Sequence, residues 1–161
     1  FPTRRSFDLG KVHLLILSGT IGKYKKQYLK QMNSYKAAII PTLSVRNGAA
    51  AVDFYKKAFD AEELMCITAD DGSVLAELSV GGARFFLADE SPEHGNFSPE
   101  SLGGICIRIG LLVEDPDAVA KKAVEAGARE VYPVADQDYG YRLGLVIDPF
   151  GHHWEICKPL H

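Results

Sequence analysis

Two stretches of the chain, Leu43–Ala61 (LSVRNGAAAVDFYKKAFDA) and Leu111–Ala128 (LLVEDPDAVAKKAVEAGA), are one pattern written twice. Laid over one another they put Val45 on Val113 and Asn47 on Asp115. In the first copy Ala51, Phe54, Tyr55 and Ala58 recur at the spacing of one helix face. Asn47 stands where an N-cap belongs, and Asp60 where a helix end wants a left-handed residue. In the second copy Asp115 caps, Pro116 takes the first helical position and Gly127 ends the helix.

Working outward, each helix is flanked by strand patterns. KAAIIPTLSV precedes the first helix; ELMCITA, SVLAELSV and ARFFLAD follow it, separated by turn signals at Asp70-Asp71-Gly72 and Gly81-Gly82. ICIRIGLLV precedes the second; REVYPVA, RLGLVID and HHWEIC follow it, broken at Gly140 and at Asp148-Pro149-Phe150-Gly151. The order β-α-β-β-β therefore occurs twice. Two copies make a duplication, not a solenoid, which needs at least about three. The predicted fold class is α+β: two tandem βαβββ modules forming a curled mixed sheet around a cavity. The first module is placed at 35–89 and the second at 104–160, with a linker rich in proline, glycine and serine at 90–103.

Composition narrows the function classes. The chain has 161 residues, 47% hydrophobic and 24% charged, which suits one globular domain. A net charge of -3 gives no reason to expect nucleic acid or an anionic membrane as partner. Cys66, Cys106 and Cys157 are scattered and form no CxxC pair, a usage that fits a reducing cytoplasm. No stretch approaches the roughly 18 apolar residues of a membrane span. Residues 1–31 open on FPTRRSFDL, which resembles a translated adapter oligonucleotide. They are expected to be a non-native or upstream leader, with Met32 as the start, making few contacts with the rest.

The two modules, with AVDFYKKAFDA, SPEHG, SPESLGG, VEDPDAVAKKAVEAGA and DQDYGYRLGLVIDPFGHHWEI, resemble the vicinal oxygen chelate superfamily. That superfamily includes glyoxalase I, the bleomycin-resistance proteins and the extradiol dioxygenases. Within it the chain is most similar to the PhnB-like, glyoxalase-related group. The resemblance runs from Tyr35 to Leu160, with one departure: Tyr141 stands where that group usually carries an aspartate. It implies that the modules enclose a cavity, commonly in a homodimer. It also implies that metal-dependent members draw ligands from the first and last strand of each module. Carried over, these positions are Ile40 and Arg108 on the first strands, Phe85–Leu87 on the last strand of module one, and Glu155 on that of module two. Isoleucine, phenylalanine and leucine have no donor atom, and arginine stays protonated. Glu155 is thus the only retained ligand-type position. No cofactor is expected, and the donor census disfavours a divalent metal.

The expected function is a metal-free, small-molecule-binding member of that group, located in the cytoplasm. The resemblance brings Arg108 and Glu155 together, and Arg108 then offers a planar fork of donors to a ligand. Strand alternation points His153 with Glu155, and His152 with Trp154, which is expected to pack beneath a helix. The ligand-binding candidates are Arg108, Glu155, His153, Arg142 and Tyr139, with Glu77, Arg84 and Tyr141 behind them. Cys106 and Cys157 share alternation with Arg108 and Glu155, but no base stands at useful spacing, and no catalytic residue is assigned. Two other readings remain: a metal-dependent glyoxalase, dioxygenase or epimerase type of enzyme, and a dimeric structural or interaction protein. A buried Arg108–Glu155 pair would make Glu155→Gln destabilising at neutral pH. The expected partners are a small organic molecule and a second copy of the chain, with neither nucleic acid nor membrane.

Overall fold

The computed structural model describes residues 38–160; the reading of residues 1–31 lies outside them. Strand β1 (Thr42–Val45) leads to helix α1 (Gly48–Phe59) and then β2 (Glu62–Thr68), β3 (Val74–Val80) and β4 (Ala83–Asp89). The second set is β5 (Arg108–Leu112), α2 (Pro116–Glu125), β6 (Arg129–Gln137), β7 (Tyr141–Ile147) and β8 (His153–Pro159). Each set builds one four-stranded mixed sheet, ordered β1-β4-β3-β2 and β5-β8-β7-β6. In both, the first strand runs parallel to the last and the remaining pairs are antiparallel. The duplication read from the sequence is thus a duplication of topology.

The predicted caps form. Asn47 and Asp115 side chains accept hydrogen bonds from the N–H groups of Ala50 and Ala118, three residues on. Asp60 adopts the left-handed conformation, with φ 52°, at the end of α1. The first strands are shorter than their apolar runs suggest. Pro41 has no N–H to give a ladder, and β1 begins only after it. Ile105–Ile107 precede β5, because β8 starts at His153 and offers partners from Arg108 onward.

Helix-facing residues from both sheets enter a single core. Leu43, Leu78, Leu87, Leu111, Val146 and Ile156 meet there with the small residues of both helices. Phe54, Tyr55, Phe59, Phe85 and Trp154 form a chain of ring contacts 4.8–6.1 Å apart that crosses between the modules. Burial of each such side chain contributes roughly 1.5–3 kcal/mol. Trp154 packs beneath the helices, as alternation requires. Both helix faces turn inward to this shared core, and the two four-stranded sheets stay separate and do not close into a barrel. Their other faces point outward.

One buried carboxylate ties the modules together. Asp148 is 3% exposed and accepts four hydrogen bonds: Tyr55 Oη at 2.6 Å, Trp154 Nε1 at 2.9 Å, and the N–H groups of Phe150 and His152. Burial first, and then the Asp148 charge, push the Tyr55 phenol well above its ordinary pKa. His152, buried beside this hub, donates from Nε2 to the Ser44 carbonyl at 3.0 Å and so joins β1 to module two. Its pKa is lowered, chiefly by burial, against the pull of Asp148 and the Ser44 bond.

The segment between the sheets lies along the surface, with Phe97 43% exposed. Glu90 anchors it, accepting from Ser98 N at 2.8 Å, Ser101 Oγ at 2.8 Å and Arg46 Nε at 3.3 Å. Burial works against the charged form, but the hydrogen bonds from Ser98 and Ser101 and the Arg46 charge outweigh it. They hold the Glu90 carboxyl at about 2, below the ordinary 4.5. A depressed carboxyl stabilises the fold above its unfolded pKa, and that contribution is lost as pH falls through the folded one. The melting difference between wild type and Glu90→Gln should therefore be full at pH 6 and shrink steadily from about pH 4.5 towards pH 2. A constant difference over that range would show that the Glu90 charge contributes nothing.

Candidate functional site

The outward face of the second sheet gathers the residues that carry chemistry. Register places Gly110 opposite Glu155, Glu155 opposite Leu145 and Leu145 opposite Tyr132, so these four cross the sheet in one row. The adjacent row runs Arg108, His153, Ile147, Arg129. From one row to the next, Arg108 Nη1 reaches Glu155 Oε1 at 2.7 Å. The expected pair is present, but it is not buried: the side chains are 59% and 29% exposed. Water screens such a pair, so its stabilising contribution falls to about 1 kcal/mol or less. The destabilisation expected of Glu155→Gln is accordingly a small one.

The other sequence candidates divide. His153 sits directly opposite Arg108, on the same face as Glu155. Cys157 is the next residue along that face and is buried; burial, then the Glu155 charge, raise its thiol pKa, which suits packing rather than nucleophilic attack. Arg142 does not join this group. It falls on the helix-facing side of β7, where Nε and Nη2 grip both oxygens of Asp117 at 2.7 Å and Nη1 meets Asp136 at 2.7 Å. Its guanidinium fastens the start of α2 to the sheet. Tyr139 lies exposed in the β6–β7 turn, its ring 6.3 Å from that of Tyr141, at the far end of the hairpin from Arg108. Cys106 is exposed ahead of β5.

The first sheet presents its outward face in the same way. Thr42 pairs with Phe86 as Gly110 pairs with Glu155, and Val45 corresponds to Val113, so Phe86 is the module-one counterpart of Glu155. Phe86 packs there with Met65, Leu75, Ile67 and Ala88. Register resolves the choice that the sequence left among Phe85, Phe86 and Leu87, since Phe85 and Leu87 turn into the core. Beside Phe86, Glu77 is 3% exposed and ion-paired with Arg84 of the neighbouring strand. Sequence reading treated these two residues singly. Nothing in a strand pattern shows that residues seven apart become cross-strand neighbours until the hairpin register is fixed.

A divalent cation finds no matching donor set in these residues. Ile40, Phe86, Arg108 and Glu155 supply one carboxylate among them, already engaged by a guanidinium. Among the described residues no three His, Cys, Asp or Glu side chains are grouped as a metal would need.

The paired βαβββ modules, with their last strands beside their first, are matched by a family model over residues 38–156. The chain belongs to the glyoxalase/bleomycin resistance protein/dioxygenase superfamily. Superfamily relatives include protein Rv0887c of Mycobacterium tuberculosis, 42% identical over 127 residues, which is 76% of this chain and 75% of that one. Protein At5g48480 of Arabidopsis thaliana is 35% identical over 117 residues, 67% of this chain and 69% of that one. Both are described as uncharacterized. Among solved structures, TioX from Micromonospora sp. ML1 superposes with a TM-score of 0.60 at 26% identity, covering 76% of this chain and 95% of its own. FosX from Listeria monocytogenes, solved with Mn(II) and a dihydroxypropylphosphonic acid, gives 0.59 at 16% identity, over 78% of this chain and 90% of its own. At that identity the likeness is one of fold alone. Among the described residues no helix is long and apolar enough to cross a membrane.

Proposed function

We propose that this superfamily member is a metal-free binding protein of the PhnB-like kind, working in the cytoplasm and taking a small organic molecule on the outward faces of its sheets. The observation that carries this reading is the Arg108–Glu155 ion pair. It occupies two positions where metal-dependent relatives are expected to place ligands, and it leaves donors of Arg108 and one oxygen of Glu155 for a ligand. The two faces of one chain point away from each other, so a complete cavity needs a second copy. Edges suited to that copy are present: β1 and β5 each end a sheet, and Ile39, Ile107 and Leu112 stand exposed along them. The active unit in this reading is a homodimer whose cavity combines the first sheet of one subunit with the second sheet of the other.

The test is a thermal-shift screen with chelator, divalent metals and a library of small organic molecules, run beside sedimentation. A ligand that binds only the folded state raises the midpoint by mass action. Chelator should leave melting unchanged, sedimentation should report a dimer, and at least one organic compound should raise the midpoint. Arg108→Ala should abolish that rise while moving the unliganded midpoint little, since the guanidinium is mostly in water. A drop of several degrees on adding chelator would overturn the metal-free reading. A hit that Arg108→Ala still binds at full strength would remove Arg108 from the site.

A further inference from the structure

Among the described residues nothing accounts for a glycine at position 110. Gly48 and Gly144 do: a Cβ on Gly48 would come within 2.6 Å of Asp89 Oδ2, and one on Gly144 within 2.7 Å of Val134 Cγ2. The turn glycines, such as Gly140 at φ 86°, need the left-handed conformation. Gly110 is the middle residue of strand β5, its φ is not positive, and a Cβ there would meet no atom of the described residues within 4 Å. A bare position inside a strand weakens the strand, and it recurs where a ligand or another backbone comes close. This one lies directly opposite Glu155 and two residues from Arg108, on the outward face.

The pair itself narrows what comes close. Arg108 and Glu155, bound to each other at 2.7 Å, present a donor edge next to an acceptor edge with no net charge. A carboxylate or phosphonate approaching Arg108 meets the Glu155 charge as well, so the attraction of one largely offsets the repulsion of the other. A primary amide or lactam carries an acceptor beside a donor and matches both edges at once without that repulsion. Across the same row, beyond the buried Leu145, Tyr132 is 60% exposed and offers apolar surface.

We propose that the second sheet's outward face takes a flat, uncharged molecule with an amide-type head, its ring lying over the bare backbone of Gly110 and its head on the Arg108–Glu155 edge. This rests on the small-molecule reading above and gives it a ligand class. Matched probes test it: 2-naphthamide and 2-naphthoate, titrated against the full-length protein with amide NMR shifts as readout. The amide should bind at least tenfold more tightly than the carboxylate, with the largest shifts at Gly110 and its strand neighbours. Gly110→Val should weaken the amide at least tenfold without lowering the melting midpoint, since valine suits a strand better than glycine, and without changing the sedimenting mass. Glu155→Gln, which leaves Arg108 a free charge, should erase or reverse the preference for the amide.

Four results would overturn the proposal. Equal or tighter binding of naphthoate to wild type removes the ligand class but leaves a small-molecule site. Full-strength amide binding by Gly110→Val removes the glycine bed. A Gly110→Val protein that loses its dimer assigns this glycine to subunit packing instead. No shift with either probe at millimolar concentration rejects the class outright, while the broader library screen decides separately whether any small molecule binds.

Discussion

Asp148→Ala should be the most damaging single substitution on the polar side of the core, costing about 3–5 kcal/mol, the range for breaking a buried charged network. The carboxylate accepts from a phenol, an indole and two backbone N–H groups, and all four donors are buried or nearly so. Removing it leaves each without a partner where water does not reach, and an unmet buried donor costs on the order of 1–3 kcal/mol. The loss also opens the contact between modules, since Tyr55 comes from α1 and Asp148 from the turn before β8. Chemical denaturation, compared with Tyr55→Phe, checks the prediction. Tyr55→Phe removes one hydrogen bond and keeps the ring packed, so it should cost only about 1 kcal/mol. If the two variants were equal, Asp148 would not act as a hub.

Arg84→Met should cost about 3 kcal/mol, because it strands the Glu77 carboxylate, 3% exposed, on the first sheet without its guanidinium. The double variant Arg84→Met with Glu77→Leu should recover most of that loss. Replacing a buried pair by apolar residues of similar size is often neutral, whereas breaking it is not. The contrast with the second sheet follows from exposure alone. Arg108→Ala should cost less than about 1 kcal/mol, since its partner and it both reach water. A double-mutant cycle on each pair checks the ordering. Equal coupling energies in the two pairs would show that burial does not separate them.

These two sheets also show how far sequence reading reached. The helices were legible because their stop and start residues act within four positions: Asn47 on Ala50, Asp115 on Ala118, Asp60 at its own φ. The repeat was legible because both copies bury the same face. Trp154 could be assigned to the core and Glu155 to the other face, because a strand alternates whatever surrounds it. Arg142 could not be assigned by the same rule. Alternation gave it a face, but only the arrival of α2, with Asp117 25 residues earlier in the chain, made that face the structural one. The length of β5 likewise depends on where β8 begins, and that depends on the Gly151 turn.

By itself the sequence determined the order of elements, the duplication, the caps and the residue types at the positions carried over from the superfamily, Ile40, Phe85–Leu87, Arg108 and Glu155, all properties of local backbone preference or of residue chemistry that no packing alters. Tertiary structure alone decided three further things. It set how buried each ion pair is, so that Glu77–Arg84 is a structural commitment and Arg108–Glu155 an accessible edge. It made Asp148, which reads as an ordinary turn residue, the polar centre of a core shared by both modules. And it turned the helix faces of both sheets inward together, leaving the other faces outward. Burial and register depend on residues distant in the chain meeting across a sheet or between helices, and the energy of a charge depends on how much water those meetings exclude.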